Sequence, residues 1–251
     1  MTGSIKSALD DAQQIRRDYV GRDGYGLVYG SHADGSGTSR SDLDLVLVGS
    51  DPLSLDTMTL LVAAVCSLHH RHGLALDTEV DYETKLFATF AEVTEATTLM
   101  CFDTTPTGLD VVPVVVEPWF LNSHRFKLRL LLNALTSPHI FLGGDIDRYR
   151  IHRDQAERAL ALLALSMCTH TVMTVADLTE VVIHGPGVAG KDFLGYRDGP
   201  QLRSTLIRGL AILARARIVV ELDGARFRKR PKPVLAAINR SRPHGRTRLG
   251  Y

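Results

Sequence analysis

The sequence predicts an α/β N-terminal domain built on a mixed sheet, followed by an all-helical C-terminal domain. Residues 43–48, LDLVLV, form a continuous apolar run typical of a strand that is buried on both faces. Residues 74–82, LALDTEVDY, alternate strictly, as a further strand does. Three long segments of helical periodicity follow Pro118. We therefore expect two domains, over residues 1–117 and 118–251.

The N-terminal elements follow one another as helix, strand, loop, strand and helix. The apolar spacing predicts these elements over 4–20, 26–30, 31–42, 43–48 and 54–71. Gly73 follows the second helix, where a glycine cap is expected. The histidines at 69, 70 and 72 precede this glycine, and we interpret them as side chains of a helix C-terminus rather than as metal ligands.

The later elements are less uniform. Residues 84–100 fit either a helix or a strand, and 109–116 are expected to form a strand that Pro113 places at an edge or a bulge. The C-terminal helices are predicted within 120–135, 147–173 and 201–222, with glycine- and proline-bearing joints at 137–145 and 184–200.

Composition narrows the class of protein. A chain of 251 residues that is 45% hydrophobic and 23% charged is expected to be soluble and globular. Its first 20 residues lack the apolar block of a signal peptide, and no stretch has the length of a membrane span, so we expect a cytoplasmic protein without a membrane partner. The three cysteines lie far apart in apolar sequence and are expected to be reduced core thiols.

Charge is uneven along the chain. Nine of the 29 Lys and Arg residues, and none of the 28 Asp and Glu residues, lie within 226–251. This basic tail has two interpretations: a contact surface for RNA or for the phosphates of a nucleotide, or a solvated end of the chain that lies on the acidic body.

Two acids stand at the head of the apolar run. Asp42 and Asp44 are two residues apart, so an extended chain places both carboxylates on one face, about 7 Å apart between Cα atoms. Two such carboxylates repel each other unless a cation lies between them. Mg²⁺ prefers one or two carboxylates together with substrate phosphates. The pattern therefore indicates a magnesium site.

The preceding Gly30-Ser31 pair suggests a phosphate contact. If Ser31 begins a helix, its hydroxyl and the backbone N–H groups form an anion site, and Gly30 allows a close approach. Ten residues separate Ser31 from Asp42, and the order and spacing of the two motifs are more specific than either motif alone.

Gly30-Ser31 followed by Ser41-Asp42-Leu43-Asp44 resembles the signature of the DNA polymerase β-type nucleotidyltransferases, which include the aminoglycoside and minimal nucleotidyltransferases. The resemblance is specific over 26–48 and reaches loosely to 82. It implies that Asp42 and Asp44 bind divalent metal and that Gly30 and Ser31 hold the nucleotide phosphates.

The resemblance also implies a third carboxylate on a neighbouring strand. Asp77, Glu79 and Asp81 share one face of the predicted strand over 74–82. Asp77 is favoured as the third metal ligand because Leu76 precedes it as in the family pattern, and Glu79 is the alternative catalytic acid. Arg40 is a candidate phosphate contact.

The implied reaction transfers a nucleoside monophosphate, AMP from ATP or the equivalent from another nucleoside triphosphate, with two Mg²⁺ ions. The expected acceptor is a hydroxyl of a small molecule such as an aminoglycoside-like antibiotic or another natural product. Two alternatives stay open: transfer to tRNA, other RNA or a protein as in toxin-like members, and a nucleotide-binding module without turnover.

Overall fold

The computed structural model describes residues 3–38, 41–76, 82–105, 108–110, 123–185, 196–223 and 226–240. It is of the mixed α/β class, as predicted, and contains a mixed four-stranded sheet. The chain forms two compact units, one of Met1–Thr94 with Val115–Asp154 and one of Glu95–Val114 with Gln155–Tyr251. Residues 118–154 thus group with the first unit, whereas the helical periodicity after Pro118 predicts that they belong to the second domain.

The first unit contains the four-stranded sheet. Its elements are α1 Gly3–Val20, β1 Tyr25–Tyr29, α2 Ser31–Asp34, β2 Asp44–Gly49, α3 Leu55–His72, α4 Tyr82–Leu86, β3 Phe87–Thr89, α5 Phe90–Thr97, α6 His124–Thr136, β6 Ile140–Gly144 and α7 Ile146–Met167. The strand order is β3-β2-β1-β6, in which β1 is antiparallel to β2 and β6, and β3 is parallel to β2. Helices α5 and α7 begin in this unit and end in the other.

The core of the first unit lies where α1 and α3 meet the sheet. Leu45 and Leu47 of β2 pack in one cluster with Ala12 of α1 and Leu61 of α3. Because side chains alternate along a strand, Asp44 points to the opposite face of the sheet. Burial of β2 on both faces explains its continuous apolar sequence.

Four predicted elements are confirmed as α1, β1, β2 and α3. The side chain of Ser54 accepts a hydrogen bond from the Thr57 N–H and so caps the start of α3. Gly73 has a φ of 62° and its N–H contacts the carbonyls of His69 and His70, as expected of a glycine cap.

The prediction of a strand over 74–82 is wrong at both ends of this segment. Residues 74–76 are irregular and Tyr82 begins α4, while 77–81 lie outside the described residues. The parallel neighbour of β2 is instead β3, within the segment that fitted either a helix or a strand. Strand β6 lies within 137–145, which is predicted to be a joint because the short apolar run of this strand ends in two glycines.

The prediction of an all-helical C-terminal domain is also wrong, since the second unit contains short strands. Strand β4, Asp103–Thr105, pairs antiparallel with β5, Gly108–Asp110, and residues 109 and 110 are the only described part of the strand predicted over 109–116. A separate sheet has the order β7-β9-β8. Its strands and the remaining helices are β7 Val172–Thr174, α8 Val175–His184, α9 Pro200–Arg215, β8 Val219–Glu221, β9 Arg226–Lys229 and α10 Pro231–Arg240. The predicted helices over 147–173 and 201–222 were too long because β-branched residues at their ends favour strands.

The first part of the basic tail belongs to the folded unit. Residues 226–229 form the central strand of the small sheet, and Val234 and Ile238 of α10 are buried. Lys229 Nζ donates to the carbonyls of Leu165 (3.2 Å) and Cys168 (2.6 Å), at the C-terminal end of α7.

Two further findings concern the cysteines and the length of the helices. Cys101 and Cys168 are buried and Cys66 is half-buried, and none of these three described residues is in a disulfide bond. No helix within the described ranges combines the length and the apolar character needed to cross a membrane.

A buried histidine lies on the sheet face opposite α1 and α3. Tyr25 Oη lies 2.9 Å from His152 Nδ1, and the rings of Phe90 and Tyr149 pack around this pair. Burial, followed by the charge of Arg148, lowers the pKa of His152 to about 4. Burial raises the pKa of Tyr25, so the phenol stays protonated and donates to the neutral imidazole.

This arrangement predicts that the folded protein loses stability at acidic pH. Since the pKa of His152 is about 4 when folded and 6.5 when unfolded, its contribution is complete above pH 6.5 and is lost as the pH falls towards 4. The shift corresponds to about 3 kcal/mol in the free energy of unfolding. Urea denaturation between pH 7 and pH 4 should show this loss. H152F should show a smaller decline, and H70Q, at an exposed position, should behave as the wild type.

Candidate functional site

The two predicted metal ligands lie where β2 begins. Asp44 is the first residue of β2 and pairs with Tyr29, the last residue of β1. Asp42 stands two residues earlier, so the pair lies beside the Gly30-Ser31 turn that follows β1. Their side chains are 25% and 23% exposed, which leaves both carboxylates accessible from solvent.

A buried lysine contacts both carboxylates. Lys85 of α4 has only 3% of its side chain exposed, and its Nζ lies 3.3 Å from Asp42 Oδ2 and 3.9 Å from Asp44 Oδ1. The ammonium group offsets the repulsion between the two negative charges, which is stronger here than in bulk water. The carboxylates are therefore oriented towards a common cation.

His69 holds the backbone between the two acids. Its Nδ1–H donates to the Val65 carbonyl (2.8 Å), so Nε2 accepts a hydrogen bond from the Leu43 N–H (3.0 Å). Burial lowers the pKa of His69, which favours the neutral imidazole that this acceptor role requires. The buried N–H of Leu43 is thereby satisfied, and the start of β2 is fixed to α3.

Gly30 brings the turn into contact with Asp44. Its φ of 71° lies in the region that favours glycine, and a Cβ at this position would overlap Asp44 Oδ2. Helix α2 begins at Ser31, within the segment predicted as a loop, and the Gly37 N–H donates to the Ser31 carbonyl at 2.7 Å. The loop thus folds back over its own start, next to the acids.

The structure brings Gly30, Asp42 and Asp44 together, with Ser31 adjacent to them. Three other predicted site residues, Arg40, Asp77 and Glu79, lie outside the described residues. Within the described ranges, no group of three or more His, Cys, Asp or Glu side chains is placed to hold a metal ion. A third carboxylate therefore stays a prediction.

Sequence reasoning missed the roles of Lys85 and His69. Lys85 stands two residues before β3, and a lysine that leads into a buried strand was the available signal. His69 follows the apolar spacing of Leu61, Val65 and Leu68 on α3, which indicated a buried histidine in need of a hydrogen-bonding partner.

Comparison of the chain with models of known protein families found no match, and a search of curated proteins found no similar sequence.

The close approach of Gly30 to Asp44 gives a stability prediction. G30A should lower the free energy of unfolding by about 1–3 kcal/mol, because the methyl group displaces the carboxylate and the left-handed backbone is strained. Urea denaturation measures this change. G35A is the matched control, since Gly35 has a φ of 85° but open space around its Cβ position.

In an Asp44→Ala background, the cost of G30A should fall towards that of G35A, because the overlapping oxygen atom has gone. An equal cost of G30A in both backgrounds would contradict the contact.

Proposed function

We propose that this protein is a metal-dependent nucleotidyltransferase that transfers a nucleoside monophosphate, AMP from ATP, to a hydroxyl group of a small molecule. An aminoglycoside-like antibiotic or another natural product is the proposed acceptor. The observation that carries the proposal is the convergence of the Asp42 and Asp44 carboxylates on one cation beside the Gly30-Ser31 turn.

The described acids fit Mg²⁺. Both are partly exposed, both supply the oxygen ligands that Mg²⁺ prefers, and both already face a positive group. Asp42 and Asp44 would hold the metal, together with Asp77 as the favoured third ligand. Bound Mg²⁺ supplies positive charge to the phosphate oxygens.

The protein groups position the reactants for an in-line transfer. Gly30 and Ser31 contact the triphosphate, and Arg40 is the proposed further phosphate ligand. The acceptor oxygen attacks the α-phosphorus while the bond from that phosphorus to the bridging oxygen breaks, so that pyrophosphate leaves. Asp77 or Glu79 accepts the hydroxyl proton as general base.

Neutralising either acid should abolish transfer. D42N or D44N should reduce monophosphate transfer by about 1000-fold or more, because the metal stabilises the transition state by several kcal/mol. The assay combines Mg²⁺, each labelled nucleoside triphosphate and a panel of acceptors, with mass spectrometry of the product and measurement of pyrophosphate. D147N is the control, since it removes the same charge from a side chain that is 83% exposed.

Full activity in both D42N and D44N would refute the assignment. If pyrophosphate is not released with any nucleotide and acceptor, while the nucleotide still binds, the protein is a nucleotide-binding module without turnover. A protein acceptor would be recognised in the same assay as a protein product whose mass has risen by one nucleoside monophosphate.

A second candidate acceptor is RNA, which an arginine surface on the small sheet favours. Arg226 and Arg228 are exposed, whereas Phe227 between them is buried, and the exposed Arg230 continues the alternation. Alternate residues of an extended chain are about 7 Å apart. That spacing suits successive phosphates of a single strand, although Asp223 already pairs with Arg226.

The RNA candidate predicts a salt-dependent interaction. Replacing the three arginines by serine should weaken RNA binding and reduce the salt slope by about 2, since each phosphate contact on a single strand contributes about 0.7. Filter binding at several salt concentrations measures both quantities.

Deleting 226–251 is unsuitable because it removes the central strand β9. The matched control replaces three exposed arginines of the first unit, Arg17, Arg22 and Arg71. An unchanged slope in the β9 variant would exclude this acceptor surface.

A further inference from the structure

Lys85 has a charge and a position that the proposed chemistry leaves unexplained. Its ammonium group contacts the two carboxylates that are proposed to hold the metal, at 3.3 Å from Asp42 and 3.9 Å from Asp44. The carboxylates are about one quarter exposed, but the lysine side chain is 3% exposed. The ammonium group of Lys85 therefore approaches the carboxylates from within the protein, whereas a metal ion with its nucleotide would reach them from the solvent side.

The packing around Lys85 keeps it at this position. Its neighbours Leu86 and Phe87 are buried in the core cluster that contains Leu45 and Leu47 of β2, and the pairing of β3 with β2 begins at Phe87. The lysine stem therefore begins at a fixed point beside the acids. The His69 contact with the Leu43 N–H fixes the other partner, the backbone between the acids.

We propose that Lys85 is a built-in counter-ion that competes with divalent metal for Asp42 and Asp44. In the absence of nucleotide, the ammonium neutralises part of the carboxylate charge and opposes the binding of a second cation at the same oxygens. The triphosphate brings negative charge that offsets this repulsion, so the metal binds together with the nucleotide rather than before it. This inference rests on the proposed function, because it requires that the two acids bind metal.

The test measures Mn²⁺ affinity without nucleotide, by electron paramagnetic resonance of the free ion. K85M should bind Mn²⁺ about tenfold or more tightly than the wild type, because one like charge beside the metal has been removed. A non-hydrolysable ATP analogue should increase the Mn²⁺ affinity of the wild type more than that of K85M. K6M is the matched control, since it removes one positive charge from an exposed position of the same unit.

Unfolding measurements give a readout that is independent of catalysis. Without metal, K85M should be less stable than the wild type because the two carboxylates lose their counter-ion. Added Mn²⁺ should raise the melting temperature of K85M more than that of the wild type or K6M. K85Q, which keeps a polar side chain of similar length, should show the same two changes.

A measurement on the wild-type protein does not depend on the folding of a variant. With ¹³C-labelled lysine side chains, one buried lysine resonance should shift as Mg²⁺ and the ATP analogue saturate the protein together. No shift of any lysine resonance at saturation would overturn the proposal.

The two proposals fail in different ways. Equal Mn²⁺ affinities for the wild type, K85M and K85Q, at a site that D42N removes, would overturn the role of Lys85 and leave the metal site in place. Weaker binding to K85M and K85Q at that site would overturn it as well, since the lysine would then support the metal. Absence of any Mn²⁺ site that depends on Asp42, with or without nucleotide, would overturn the proposed function itself.

Discussion

The repulsion between two carboxylates at the start of a buried strand is the constraint on which the candidate site depends. Asp42 and Asp44 stand where β2 enters the core, and their charges are unfavourable there unless a cation lies within a few ångströms. The fold supplies one from Lys85. The elements around the pair, from the turn after β1 to the end of α3, are arranged to hold the acids in this position.

Each residue that contacts the acids, or the backbone between them, stabilises this part of the structure in a different way. Gly30 leaves room for the Asp44 carboxylate and adopts a backbone conformation that other residues rarely adopt. His69 satisfies a buried N–H between the acids, and only its neutral form, with the proton on Nδ1, does so. These contacts lie at the start of β2, so the placement of the acids is decided within one unit of the chain.

Local sequence patterns predicted those elements whose burial or capping depends on residues that are close together in the sequence. The apolar run of β2 and the glycine after α3 correspond directly to burial and to a left-handed cap. Prediction failed where partners distant in sequence decide the structure. Strand β6 forms because β1 offers an antiparallel edge, and that edge is more than 100 residues away in the sequence.

The same distinction applies to the site. The spacing of Asp42 and Asp44 follows from strand geometry, so their common face was predictable from the sequence. The contact with Lys85 joins residues 43 positions apart and depends on the parallel pairing of β2 with β3, which no local pattern encodes. A lysine in an apolar segment is costly to bury unless it is paired, and a nearby pair of acids has the opposite need. The mutual compensation of these charges therefore identifies Lys85 as a residue of the site that the motif omits.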